Sequence, residues 1–379
     1  MKQGNIQYSR FAVAIFFFFC GLLFSSWASR IPTIKESFGL NEAELGAVLV
    51  MLPLGSFIAL PIAGWAVHRA GSRWMTLFSC IGYALMLYLV SKGNTVFLLS
   101  LSLFFFGFMG DLLNISMNTQ GLDVQRIYKK PILSSFHGMW SLGALSGALI
   151  GGWTLKHGLG TSQHFLLIMA VVIVISLILS GFLGKTDEKQ EEGKKLFAMP
   201  DKALWLIGLI CFCCALCEGA MADWSALYYK EVVNDPGKVS TTGFTFYIFT
   251  MAIGRFTGDR LLMWLNYRKL LMVDSILIAG GLALALSVRN PLFVIAGFAL
   301  VGFGVSTIIP IAYMLAGRSK TMKASIALAA VSTIGFTGFL IGPPVIGFVA
   351  HQTGLRVALL LVLFMGVTIF FLSRRIKID

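Results

Sequence analysis

Apolar stretches of about 18 to 25 residues alternate along the chain with short polar or Pro/Gly-bearing breaks. Each stretch is long enough to cross roughly 30 Å of hydrocarbon as a helix rising about 1.5 Å per residue. Taking the breaks as helix ends predicts twelve helices, at 11–29, 43–67, 74–91, 95–122, 132–155, 164–184, 203–229, 241–262, 269–288, 291–316, 324–350 and 355–373. The longest polar run, Lys185 to Lys195, mixes both charges as a solvated linker does. It separates an N-terminal six-helix bundle at 1–184 from a C-terminal one at 203–379, with 185–202 as a cytoplasmic linker. The expected fold class is an all-α integral membrane protein of twelve transmembrane helices in two pseudo-symmetric six-helix bundles.

Weak internal repetition supports the division. Trp27 near the end of the first helix returns as Trp224 near the end of the seventh, an offset of 197. Gly147-Ala-Leu-Ile-Gly151 returns as Gly338-Phe-Leu-Ile-Gly342, an offset of 191. Gly64 to Arg73 has a looser echo in Gly258-Asp259-Arg260 to Arg268, about 194 on. Three near-equal offsets in order predict a duplicated unit with the same orientation in both halves.

Composition agrees with the pattern: 57% hydrophobic and 12% charged residues exclude a soluble enzyme. The net charge of +13 would suit nucleic acid, but its placement explains it as topology. With odd-numbered loops outside, the external set holds eight basic residues and the internal set twenty-one, so the positive-inside rule predicts both termini in the cytoplasm of an inner-membrane protein. The first span is expected to be retained as a membrane helix and not cleaved as a leader, because Trp27 stands where cleavage wants small residues. All six cysteines fall inside apolar segments and read as core residues, and the cluster Cys211, Cys213, Cys214 and Cys217 lacks a nearby His. No metal and no cofactor is expected. The absence of a Gly-x-x-x-x-Gly-Lys-Ser/Thr loop argues against an ATP-driven pump, and the absence of His-Glu-x-x-His and Gly-x-Ser-x-Gly against an intramembrane protease or lipase.

Ionisable groups at membrane depth are the informative residues, because each costs about 2.5–3.5 kcal/mol on insertion scales and is normally retained for a pathway or a partner. Glu218 lies about 22 Å into the seventh helix, and reads either as a proton-coupling or substrate group or as a hydrogen-bonding partner of a neighbouring helix. Asp223 lies roughly 140° around the same helix, so the two carboxylates cannot share one cavity; it suits a latch with Arg30 or an exposed helix end. Asp111, Asn114 and Asn118 line one face of the fourth helix, as coupling acid and substrate-binding amides or as interhelical hydrogen-bond partners. In the fifth helix Ser134, His137 and Ser141 share a face, with His137 either a proton relay or a structural donor, and Gly143, Gly147 and Gly151 form a seam for close packing. Arg255 and Asp259 are spaced for an intrahelical ion pair near the cytoplasmic gate. Trp27, Trp140 and Trp224 sit beside polar residues, where they stack on a solute ring or belong to interfacial belts. Pro53, Pro61, Pro310 and the pair Pro343-Pro344 are expected to break helices two, ten and eleven.

Gly64-Trp-Ala-Val-His68-Arg69-Ala-Gly71-Ser-Arg73 resembles the signature between helices two and three of the major facilitator superfamily, with His68 where that signature usually has Asp. The phrases Ser26-Trp27-Ala28-Ser29-Arg30-Ile31-Pro32, Met117-Asn118-Thr119-Gln120-Gly121, Ser135-Phe136-His137-Gly138 and Glu218-Gly-Ala-Met-Ala-Asp223-Trp224-Ser225 resemble a YbjJ-like branch of transporters related to the fucose permeases. The resemblance covers nearly the whole chain. It implies the major facilitator fold, a gate built on Arg69, Arg73, Asp259 and Arg260, and secondary transport of a small solute. The expectation is a monomeric carrier, not an enzyme and not a nucleic-acid binder, that moves a sugar or similar polar metabolite by proton symport and alternating access. A proton-antiport exporter and a non-translocating solute receptor remain the alternatives.

Overall fold

The computed structural model describes residues 3–128, 132–184, 202–233, 239–319, 322 and 324–376. The polar linker at 185–201 and the side chains of Ser134 and Asp259 lie outside the described residues. In chain order the helices are α1 (Gln3–Ala28), α2 (Ile31–Phe38), α3 (Glu42–Leu49), α4 (Met51–Ala70), α5 (Ser72–Val90), α6 (Val96–Tyr128), α7 (Leu133–Lys156) and α8 (Thr161–Ser180). They continue as α9 (Lys202–Tyr228), which ends in the π-turn Tyr229–Val233, then α10 (Thr242–Trp264), α11 (Tyr267–Ser287), α12 (Pro291–Val305), α13 (Ile308–Gly317), α14 (Ala324–Thr353), α15 (Leu355–Ala358) and α16 (Leu360–Arg374). Ten stretches among the described residues are long and apolar enough to cross a bilayer, with α3–α4, α12–α13 and α15–α16 each forming one. α7 and α10 are equally long, at 24 and 23 residues, but the hydroxyls and His137 of the one and the threonines and arginines of the other lower their hydropathy. α1 starts well before residue 11 because hydropathy detects only its apolar part; in its polar first turns Arg10 donates to the Tyr128 hydroxyl at 3.1 Å and lies over that ring.

The chain divides into two units, one of Met1–Phe38 with Met51–Glu192 and the other of Gly39–Val50 with Gly193–Asp379. The transfer of 39–50 to the second unit differs from a division at the linker alone. In that unit α3 packs on α14 through facing glycines, where a methyl group on Gly347 would stand 2.9 Å from Gly46 Cα. The Asn41 side chain and Glu44 close a capping box that starts α3.

Inside each unit glycines let backbones touch. A methyl on Gly143 of α7 would overlap the Phe18 carbonyl of α1, and one on Gly338 of α14 the Phe212 carbonyl of α9. Gly107 of α6 meets the Leu52 carbonyl of α4, and Gly302 of α12 the Tyr247 carbonyl of α10, in the same way. Gly143 to Gly338 and Gly107 to Gly302 are both 195 positions apart. Gly147 meets α1 as Gly338 meets α9: a methyl group on Gly147 would crowd the Leu22 carbonyl, Ser25 Cβ and Ser26 N, and one on Gly338 the Phe212 carbonyl, Ala215 Cβ and Leu216 N.

The prolines correct a second expectation. α14 runs unbroken through Pro343 and Pro344, and α4 through Pro61. The breaks that do occur, at Val50 and at Ser306-Thr307, each precede a proline in the first turn of the next helix, Pro53 or Pro310, where its missing N–H has no helical partner to lose. Gly71, at a φ of +84°, makes the turn into α5 that a residue with a Cβ would strain.

Candidate functional site

In the second unit Glu218 of α9 faces α10, where Arg255 Nη2 lies 3.8 Å from Glu218 Oε1. The side chains stay partly open, at 14% and 24% exposure respectively. Two turns before Arg255, Tyr247 is buried with its hydroxyl unpartnered and feels the charge of both. Tyr313 of α13, 37% exposed, also lies within the field of Glu218. Arg255 thus reaches across to α9, a pairing that intrahelical spacing did not suggest. Asp223 is half-buried, with no hydrogen bond or ion pair among the described residues. Trp224 is fully buried with its Nε1 unpartnered, and Arg260 is exposed.

In the first unit Asp111 of α6 carries a buried Oδ2 without a hydrogen-bond partner. Asn118 Nδ2 donates along the same helix to the Asn114 carbonyl at 2.8 Å and to Asn114 Oδ1 at 3.0 Å, so the amide face is bonded to itself. His137 is exposed and meets the Phe17 ring edge-on at 5.2 Å, and Trp140 lies beside Phe24. Trp27 is buried at 1% exposure. Arg69 lies over Trp65 and Arg73 over Trp74, with Arg73 Nε buried and unpartnered.

Arg30, in the break between α1 and α2, is fixed within the first unit. Its Nη2 donates to Thr154 Oγ1 at 2.8 Å and to the Leu159 carbonyl at 2.9 Å, and its Nε to His164 Nδ1 at 3.2 Å. Arginine can only donate, so His164 Nδ1 accepts and the ring hydrogen sits on Nε2, which is buried without a partner. Gln120, which the sequence offers only as part of the Met117–Gly121 phrase, is a clamp: its Nε2 donates to Ser72 Oγ and the Gly184 carbonyl, and its Oε1 accepts from Gly184 N at 2.8 Å.

Sequence reasoning passed over Asp274 of α11, which is fully buried among apolar helices. An acid inside an apolar run was the signal that singled out Glu218, and it applies equally here.

The family model of the Major Facilitator Superfamily matches residues 12–319. An uncharacterized MFS-type transporter of Yersinia pestis is 33% identical over 90% of this chain and 89% of its own length. The membrane protein MosC of Rhizobium meliloti is 30% identical over 94% of this chain and 88% of its own. Among solved structures, a point-mutant form of the nucleoside transporter NupG superposes with a TM-score of 0.81 at 14% identity, covering 96% of this chain and 98% of that one, which is a likeness of fold. The chain belongs to the major facilitator superfamily, and is a multi-pass membrane protein with the family and fold of transporters.

Proposed function

We propose that this chain is a proton-coupled symporter of a small hydroxylated solute, a sugar or a similar metabolite, in the inner membrane. The Glu218–Arg255 pair carries the reading. Two opposite charges at membrane depth, partly open to solvent, are a costly arrangement that a solute and a proton can both use. With Glu218 ionised, the guanidinium is held to the carboxylate. A proton taken from water onto a Glu218 oxygen removes that attraction and leaves the N–H fork of Arg255 to donate to solute hydroxyls. Release of the proton on the other side restores the pair and expels the solute. Proton and solute are thereby linked through one guanidinium, and alternating access of the two units supplies the movement.

Within the first unit, the amide-bearing face of α6 with Asp111, and His137 and Trp140 of α7, are proposed as further solute or proton groups, while Trp27 and Trp224 are each sealed inside their own unit. Arg30, Asp223, Arg69, Arg73, Asp259 and Arg260 are proposed as gate residues, and the carrier works as a monomer with both termini in the cytoplasm. The solved neighbour named as a nucleoside transporter adds nucleosides to the panel of solutes to be tried. The test compares Glu218→Gln with wild type in proteoliposomes. The neutral amide should keep solute exchange at equal pH on both sides but lose accumulation driven by a pH gradient. Accumulation at the wild-type level would refute the assignment.

A further inference from the structure

A second acid of the second unit has a different setting from Glu218. Asp274 lies in α11 with no exposed surface. Its Oδ2 accepts a hydrogen bond from Thr307 Oγ1, and its Oδ1 is buried with no hydrogen-bond partner among the described residues. Thr307 is half of the break between α12 and α13, where Ser306 turns its N–H and hydroxyl back onto the Phe303 carbonyl. Glycine lets the two elements meet there, since a methyl on Gly304 would stand 2.6 Å from the Asp274 carbonyl.

Among the described residues no cation is paired with Asp274; Arg268 and Lys269 of its own helix stand in the first turn of α11. α12 carries no titratable side chain. α16 brings the hydroxyls of Thr368 and Ser373, each bonded within its own helix, and the exposed Arg374. From α9 comes the Cys214 thiol, which feels the Asp274 charge and points its Sγ at the Val305 carbonyl. α13 brings Tyr313, and the Arg255 of α10 is placed on Glu218. An ionised carboxylate buried without a cation costs several kcal/mol, so something positive must accompany this one. A metal ion would need several oxygen ligands, and beside the carboxylate itself the named side chains offer one hydroxyl turned to Asp274, that of Thr307, the hydroxyls of Ser306, Thr368 and Ser373 being bonded to carbonyls of their own segments.

We propose that Asp274 and Thr307 form a buried proton-binding site at the break between α12 and α13, separate from the Glu218–Arg255 pair. The proton comes from water, joins a carboxylate oxygen of Asp274 to give the neutral acid, and returns to water when it leaves. The site is sealed, so loading and unloading require α11 to part from residues 306–307. Proton occupancy is thereby tied to the state of that break, whichever solute the protein carries.

Infrared difference spectroscopy of the full chain in lipid, without solute, tests this apart from any transport reading. Wild type at neutral pH should show the carbonyl stretching band of a protonated carboxyl group, shifted by deuterium. Asp274→Asn should lose that band. Thr307→Val, which keeps the acid and removes its hydrogen bond, should move the band without abolishing it, and it serves if the asparagine variant fails to fold. A band that survives in Asp274→Asn and stays in place in Thr307→Val overturns the proposal. Bleaching of the Asp274 band by sodium chloride but not by choline chloride at fixed pH also overturns it, in favour of a sodium site.

Discussion

Gly143 of α7 lies so close to Phe18 of α1 that a methyl group on its Cα would overlap the Phe18 carbonyl oxygen. Backbone cannot yield as a side-chain tip can, so Gly143→Ala has to push the two helices apart. The expected cost is about 1–3 kcal/mol, the range for overpacked cores. Gly64→Ala is the control, because a methyl group there would meet nothing within 4 Å, and alanine favours helix by about 0.5–1 kcal/mol. Thermal unfolding in detergent should show a lower midpoint for the first variant and an equal or higher one for the second.

The Gln120 clamp joins α6 to Ser72 of α5 and to both backbone groups of Gly184 beyond α8. Gln120→Leu leaves a buried N–H and a buried carbonyl unpaired, each worth about 1–3 kcal/mol. The same unfolding measurement should therefore rank this variant below one carrying Gln163→Leu, whose bond to Gly160 N at 3.0 Å is exposed to water.

Arg30 makes three hydrogen bonds from a planar fork to groups on or beside α7 and α8. Lysine keeps the charge but has no fork, so Arg30→Lys should still lose stability, by about 1.5–3 kcal/mol for each bond it cannot remake. Thr154→Val removes one acceptor. In a double-mutant cycle the two changes should be clearly non-additive; additive losses would mean that the bond to Thr154 contributes nothing.

Much of this architecture is legible in the sequence because lipid imposes long apolar runs, and loop charges and glycines are read against that regular background. Glu218 stands out as a costly residue by the same rule, and Arg30 and Arg255 stand out as basic residues near helix ends. Their partners do not, since Arg30 is satisfied by Thr154, Leu159 and His164, far along the chain. The seam of Gly143, Gly147 and Gly151 is legible as small-residue spacing, whereas which backbone each glycine meets required the fold. The breaks at Val50 and Ser306-Thr307 carry no proline of their own, while Pro343 and Pro344 lie in an unbroken helix. Asp274 was visible as an acid in an apolar run, and only its bond to Thr307 required the fold.

Solute-triggered proton movement bears most directly on the central claim. Proteoliposomes are made with wild type or Glu218→Gln, and external pH is followed while sugars, nucleosides and related metabolites are added in turn. Symport through the Glu218–Arg255 pair predicts external alkalinisation on adding one class of solute to wild type, and none with the variant. Alkalinisation of equal size in Glu218→Gln would contradict the account, as would external acidification on adding the solute.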